Sequence, residues 1–289
     1  MAGQFLVVVS GRRLSQPRDV RISAPMPYTH LTIASEGRHP LCPEEGDKRA
    51  LLRTIGRVAA GHVVLFGLVD DHLHVVLAGT EMELLQLRRG LTLAVRAAVD
   101  TPVAPTFART VKTRLHLENL VGYLLRQTSH HGLAGHPALT TGSCFPDLVG
   151  ARAVSGLDLR LCVVLPRFRP EDAFTHVGLV APLVPASDEV IRRAGVARVV
   201  AATTAAAASG PVLKGHSASE FVARRAAARL LSGAGFGADL LATELGIDPR
   251  SVRRLAVAPA PDTLIAAVRL RVALEDLVLA SPLQTRAAS

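Results

Sequence analysis

The sequence predicts an α+β fold, an antiparallel sheet with flanking helices, followed by an all-α domain that ends in a helix-turn-helix. Three observations carry this. Apolar runs at 29–34, 62–69 and 72–79 have strand length and are set off by turn residues. Amphipathic stretches of helix length alternate with them. From 218 to 282 the pattern is wholly helical.

In chain order, "THLTIA" (29–34) reads as a strand and a Gly/Pro-rich loop follows it. A helix is expected near Asp47–Ala60, with Leu51, Leu52, Ile55 and Val58 on one stripe. "HVVLFGLV", the turn at Asp70-Asp71 and "HLHVVLAG" read as a β-hairpin. A helix from about Glu81 to Val99 comes next, then a basic alternating piece, "RTVKTRLHL" (109–117), that fits another strand. "ENLVGYLLRQTSHHG" (118–132) reads as a helix closed by Gly132. Residues 151–198 hold two strands or short helices, and "VVAATTAAAASGPV" (199–212) resembles a linker. The expected division is therefore 1–150, an accessory segment and linker at 151–212, and a helical domain at 213–289.

Composition narrows the function. Hydrophobic residues make up 49% of 289, enough for a real core, while aromatics are 3% with no Trp and two Tyr. A formal charge of +9 and a sequence pI near 10.6 favour a polyanionic partner such as nucleic acid. Cys42, Cys144 and Cys162 form no CxxC pair, which fits reduced thiols in a cytoplasm. The first residues lack the apolar core of a signal peptide, and Asp70 and Asp71 interrupt the longest apolar run. A cytoplasmic protein without a membrane partner is the expectation.

"FGLVDDHLHVVLAG" (66–79) holds the first chemical signal. On a strand, side chains at i and i+2 face the same way, so His72 and His74 can reach one cation, with Asp70 beside them if the strand begins early. Imidazole suits several divalent metals, and an added oxygen ligand extends the choice to Mg²⁺ or Mn²⁺. The same letters match the Asp-x-His-x-His pattern of amidohydrolases, metal hydrolases built on a barrel that needs a long strand–helix repeat. An ordinary histidine pair needs no metal at all.

A second constellation lies downstream. "YTHLTIASEGRHPLC", "LVDDHLHVVL", "HLENLVGYLLRQTSHHGLAGHP" and "GSCFPDLVG" follow one another in the order and spacing of a known family. From about Arg21 to Gly150 the chain resembles the REP-associated tyrosine transposases, His-hydrophobic-His (HUH) nucleases related to the single-tyrosine transposases of bacterial insertion sequences. The resemblance implies a ferredoxin-like HUH fold in which Tyr123 attacks a DNA phosphodiester and His72, His74 and Gln127 hold a divalent cation, Mg²⁺ or Mn²⁺. Tyr123 and Gln127, four apart on a helix, would share one face. A phenol with its ordinary pKa near ~10 needs a neighbouring cation or base to ionise. The resulting 5′-phosphotyrosine ester would conserve the broken bond for rejoining. The family's Asn-Pro after the tyrosine is Gln-Thr here, and its Pro-Asn before the first histidine is Asp-Asp.

Lys112, Arg114 and Arg126 flank the expected site and Arg88 and Arg89 lie on the preceding helix, all suited to a phosphate backbone. His130 and His131 follow the tyrosine helix. "GADLLATELGIDPRSVRRLA" is a helix-turn-helix pattern: Leu240, Leu241 and Leu245 form the apolar stripe, Gly246 turns, Asp248 caps and Pro249 opens the second helix. Arg250, Ser251, Arg253 and Arg254 would project toward a groove. This part resembles the DNA-binding domain of bacterial replication initiators. The expectation is an enzyme that cuts and rejoins single-stranded DNA at hairpins or repeats, with duplex bound at the C-terminal domain, acting as a monomer or homodimer. A domesticated regulator of the same fold that binds DNA without cutting it is the alternative.

Overall fold

The computed structural model describes residues 27–180, 182–210, 213, 215 and 217–281. The part of the resemblance that falls on 21–26 lies outside them. The chain begins β1 (Tyr28–Ala34), α1 (Glu45–Val58), β2 (Val63–Leu68), β3 (His72–Ala78), α2 (Glu81–Ala98), β4 (Phe107–Val111). These strands form one antiparallel sheet in the order β2-β3-β1-β4, which is the ferredoxin-like order for this sequence of elements.

Period-two alternation decides what each face of the sheet holds. Leu31 and Ile33 of β1 and Leu73, Val75 and Leu77 of β3 are fully buried, and α1 and α2 bring Leu51, Leu52, Ile55, Leu91 and Val95 into the same core. The intervening residues, His30 and Thr32 on β1 and His72 and His74 on β3, therefore share the opposite face. Thr80 starts α2 with a reciprocal cap: its side chain accepts from the Glu83 N–H, and the Glu83 carboxylate accepts from the Thr80 N–H.

Beyond the sheet the structure corrects several expectations. The stretch 109–117 is not one strand. β4 ends at Val111 and α3 (Arg114–Leu125) starts three residues later, because the Thr113 side chain caps the His116 N–H. Nor is 118–132 one helix. Arg126, at φ −97° and ψ 2°, separates α3 from α4 (Gln127–His130), although Gly132 closes the segment with φ 62° as expected. Among the described residues of 151–210 there is no strand: after α5 (Phe145–Leu148) come α6 (Leu161–Val164), α7 (Asp172–His176), α8 (Asp188–Ala194) and α9 (Val196–Ala206).

The expected linker is thus largely α9, and Val199, Ala202, Thr203 and Ala206 are buried in a second core. Small residues there let helices approach closely; they do not loosen the chain. α10 (Ala218–Gly233), α11 (Ala238–Leu245), α12 (Pro249–Val257) and α13 (Asp262–Leu279) complete that core. α13 spans both: Leu264, Ala267, Val268 and Val272 lie in the second core, Leu274 and Val278 in the first. A four-stranded antiparallel sheet excludes the barrel that the amidohydrolase reading needs. No helix among the described residues is long and apolar enough to cross a membrane.

Candidate active site

His72 and His74 emerge side by side from β3, both buried, with their Nε2 atoms 2.9 Å apart. Each ring is held from behind. His72 Nδ1 lies 2.6 Å from Asp71 Oδ1, so the N–H of that nitrogen donates to the carboxylate, whose other oxygen accepts from Arg38 at 2.9 Å. His74 Nδ1 lies 3.1 Å from Thr32 Oγ1 and 3.0 Å from His30 Nε2. With Nδ1 donating to Asp71, neutral His72 turns its Nε2 lone pair toward His74 Nε2, whereas His74 Nδ1 has partners that can either donate or accept, so both of its tautomers find partners here. The 2.9 Å contact is therefore bridged either by the His74 Nε2–H or, with that proton on Nδ1, by a cation shared between two lone pairs.

Electrostatics keep the three rings neutral near neutral pH. Burial, with His72, His30 and His131 nearby, pushes His74 down to about 3. Burial also lowers His72, against the opposing pull of Asp71, and burial with His116 and Arg109 takes His30 to about 4. Asp71 is raised by burial, but hydrogen bonds from Arg38 and His72 outweigh this and hold it below the ordinary carboxylate value. Neutral imidazoles backed by a carboxylate are the form in which histidine ligates metals. Two nitrogens sharing one cation at ~2.1 Å stand about 3–3.4 Å apart, close to what is found here.

A third donor is present. Gln127 is buried, and neither its Oε1 nor its Nε2 has a hydrogen-bond partner among the described residues. Its side chain lies over Gly67, where a Cβ would come 3.8 Å from Gln127 Cγ, and Gly67 is the cross-strand partner of His74. An unpaired buried amide costs about 1–3 kcal/mol and calls for a partner. Among the described residues no three His, Cys, Asp or Glu side chains form a metal-holding group, so a cation here would depend on this amide.

Tyr123 approaches from α3. Its hydroxyl is 3.4 Å from His74 Nε2, its ring is 5.6 Å from that imidazole, and it is 41% exposed. Arg126 separates it from Gln127, so the two lie on successive helices, Tyr123 partly exposed and Gln127 buried. Tyr123 reaches His74 itself, and Gln127 lies over its cross-strand partner Gly67. His131 stacks edge-on against His72 with centroids 5.2 Å apart, and His130 stacks edge-on against His131 at 5.3 Å. Asp70 does not join the pair, since β3 begins at His72 and Asp70 is exposed at the turn.

The loop behind this site is fixed by a group that sequence reasoning missed. The buried Arg152 guanidinium donates to both Asp147 carboxylate oxygens, to Thr141 O at 2.7 Å and to Ser143 O at 2.6 Å. This holds Gly142 against β2, where its carbonyl accepts the Leu68 N–H at 2.8 Å. The signal in the sequence was slight, an Asp and an Arg five residues apart.

The expected DNA-contacting residues fall into two groups. Lys112, just before α3, Arg114 at its start and Arg126 at its end are exposed; Arg114 pairs with Glu118 at 2.7 Å and Arg126 lies 3.3 Å from His176 Nδ1. Arg250, Arg253 and Arg254 are exposed on α12, while Ser251 is half-buried and gives its N–H to the Asp248 cap at 2.9 Å. Gly246 turns in the left-handed region between α11 and α12, as expected. Leu240 does not belong to the buried stripe: it is 50% exposed, and Ala242 takes its place beside Leu241 and Leu245.

No protein-family model matches the sequence, and no curated protein matches it. Among solved structures, a REP-associated tyrosine transposase bound to a REP hairpin is similar at 15% identity, over 50% of this chain and 90% of that one, with a TM-score of 0.35. A likeness at that score fixes neither fold nor function.

Proposed function

We propose that this chain cuts and rejoins single-stranded DNA through Tyr123, with His72, His74 and Gln127 holding a divalent cation, Mg²⁺ or Mn²⁺. The observation that carries the reading is one cluster: two buried imidazoles with Nε2 atoms 2.9 Å apart, an unpaired buried amide over the cross-strand partner of His74, and a half-exposed tyrosine whose hydroxyl is 3.4 Å from His74 Nε2. When bound, the cation supplies charge stabilisation at the phosphate oxygens.

The chain's own residues do the rest. Tyr123 Oη attacks phosphorus, the P–O3′ bond breaks, and the 5′-phosphate remains on the tyrosine. The phenolic proton passes to solvent and the departing 3′-oxygen takes one up. Attack by that 3′-hydroxyl, or another, reverses the step and releases Tyr123. Asp71 and Arg38 fix the orientation of His72, while Thr32 and His30 fix that of His74. Exposure of Tyr123 lets a polymer enter from solvent. Lys112, Arg114 and Arg126 would steer a single strand, and Arg250, Ser251, Arg253 and Arg254 would meet duplex.

Incubation with a labelled single-stranded hairpin oligonucleotide and Mn²⁺ or Mg²⁺ tests this. A denaturant-resistant adduct that disappears in Tyr123→Phe is expected. Binding without any adduct assigns the chain to the regulator class.

A further inference from the structure

The face of the sheet that carries the site extends beyond it to the open edge. Cross-strand partners point the same way. Thr32 stands opposite His74 on one side and opposite Phe107 on the other, and His30 likewise stands opposite Arg109. Phe107 and Arg109 of β4 therefore share the face of the two histidines, and Phe107 lies about two strand spacings, ~10 Å, from His74. Val111 at the far end of β4 is buried, but Phe107 is 63% exposed and Arg109 is exposed as well.

A single exposed phenyl is ordinary on a protein surface. What distinguishes this one is its register with the site and the charge around it. Arg109 and Lys112, on β4 and just after it, make no ion pair among the described residues. An aromatic face interleaved with unpaired cations is the surface that single-stranded nucleic acid uses: bases stack on the ring while phosphates meet the cations. Duplex does not fit it, because paired bases hide their faces in the helical stack. Edge-to-edge pairing with a second copy is opposed by the same charges, since Arg109 and Lys112 would add like charge along the shared edge.

We propose that Phe107 and Arg109 form the subsite for the single strand next to the scissile phosphate, Phe107 stacking on a base and Arg109 contacting the backbone. This rests on the reading of Tyr123 as the nucleophile, since that is what brings a single strand onto this face.

The chain contains no Trp, so Phe107→Trp introduces its sole indole. Titration of that variant with an unlabelled mixed-sequence single strand should quench indole emission to saturation, whereas the same sequence as a blunt duplex should not. In parallel, anisotropy of a labelled strand should show about tenfold weaker binding by Phe107→Ala. Arg109→Gln should reduce the slope of log affinity against log salt by about 0.7. Strand binding by anisotropy with unchanged indole emission and unchanged Phe107→Ala affinity overturns the subsite but leaves the nuclease reading standing. Absence of any single-strand binding overturns both. A concentration-dependent emission shift without DNA, together with a dimer in sedimentation, gives this face to a second copy and overturns the proposal.

Discussion

Asp71 shows how a residue beside the site acts through its neighbour. From sequence it is one of two acids that either bind the metal or repel DNA. In the structure it accepts from His72 and is anchored by Arg38, so it sets which imidazole nitrogen faces inward. Asp71→Asn is expected to weaken Mn²⁺ binding about 10- to 100-fold by calorimetry; unchanged affinity contradicts the role. The pH dependence follows from His30 and His74, which fold as neutral groups at about 4 and about 3. In the unfolded chain both take up a proton near ~6.5. Their contribution to stability is therefore complete above that pH and is lost as pH falls through the window toward 4 and then 3. The melting midpoint should drop on acidification across this range, and less steeply in His30→Gln. Equal slopes for wild type and variant contradict it. That His72 and His74 lie side by side was legible from their spacing on a strand, and Tyr123 was singled out by the family resemblance. His30 and Arg38 were not, because a strand register and a loop contact bring them in.

At the level of elements, β1 to α2 were readable almost to the residue, since alternation and capping are local properties. Two boundaries were not. The basic alternation of 109–117 imitates a strand, yet a single capping threonine converts its second half to helix. The break at Arg126 leaves no mark in the sequence, since no Pro or Gly stands there. Gly142 shows a constraint of the same hidden kind. A Cβ there would lie 2.0 Å from the Leu68 carbonyl oxygen, so β2 or the loop must move. Gly142→Ala should cost about 1–3 kcal/mol in urea denaturation. It should also impair Mn²⁺ binding, because Leu68 borders Gly67 under Gln127. A neutral result places the loop outside the architecture of the site.

For the molecule as a whole, the sequence suggested two domains joined by a linker, whereas α13 enters both cores and partly buried arginines tie them together. Arg271 donates to Leu139 O at 2.9 Å, and Arg49 to Ser209 O at 3.3 Å. Low-complexity alanine reads as linker in one dimension, because its packing partners are distant in sequence. Calorimetry should therefore give a single cooperative transition, and removal of 262–289 should leave neither core folded. Two well-separated transitions would show that the cores are independent.

The central claim concerns one bond, between DNA phosphorus and Tyr123. Tyr123 and Tyr28 are the only tyrosines, and trypsin isolates Tyr123 in "LHLENLVGYLLR", 115–126. Mass spectrometry of the digested adduct measures that bond directly. The prediction is a nucleotide 5′-phosphate on this peptide, localised to Tyr123. A nucleotide on another peptide, or cut DNA with no protein attached, contradicts it.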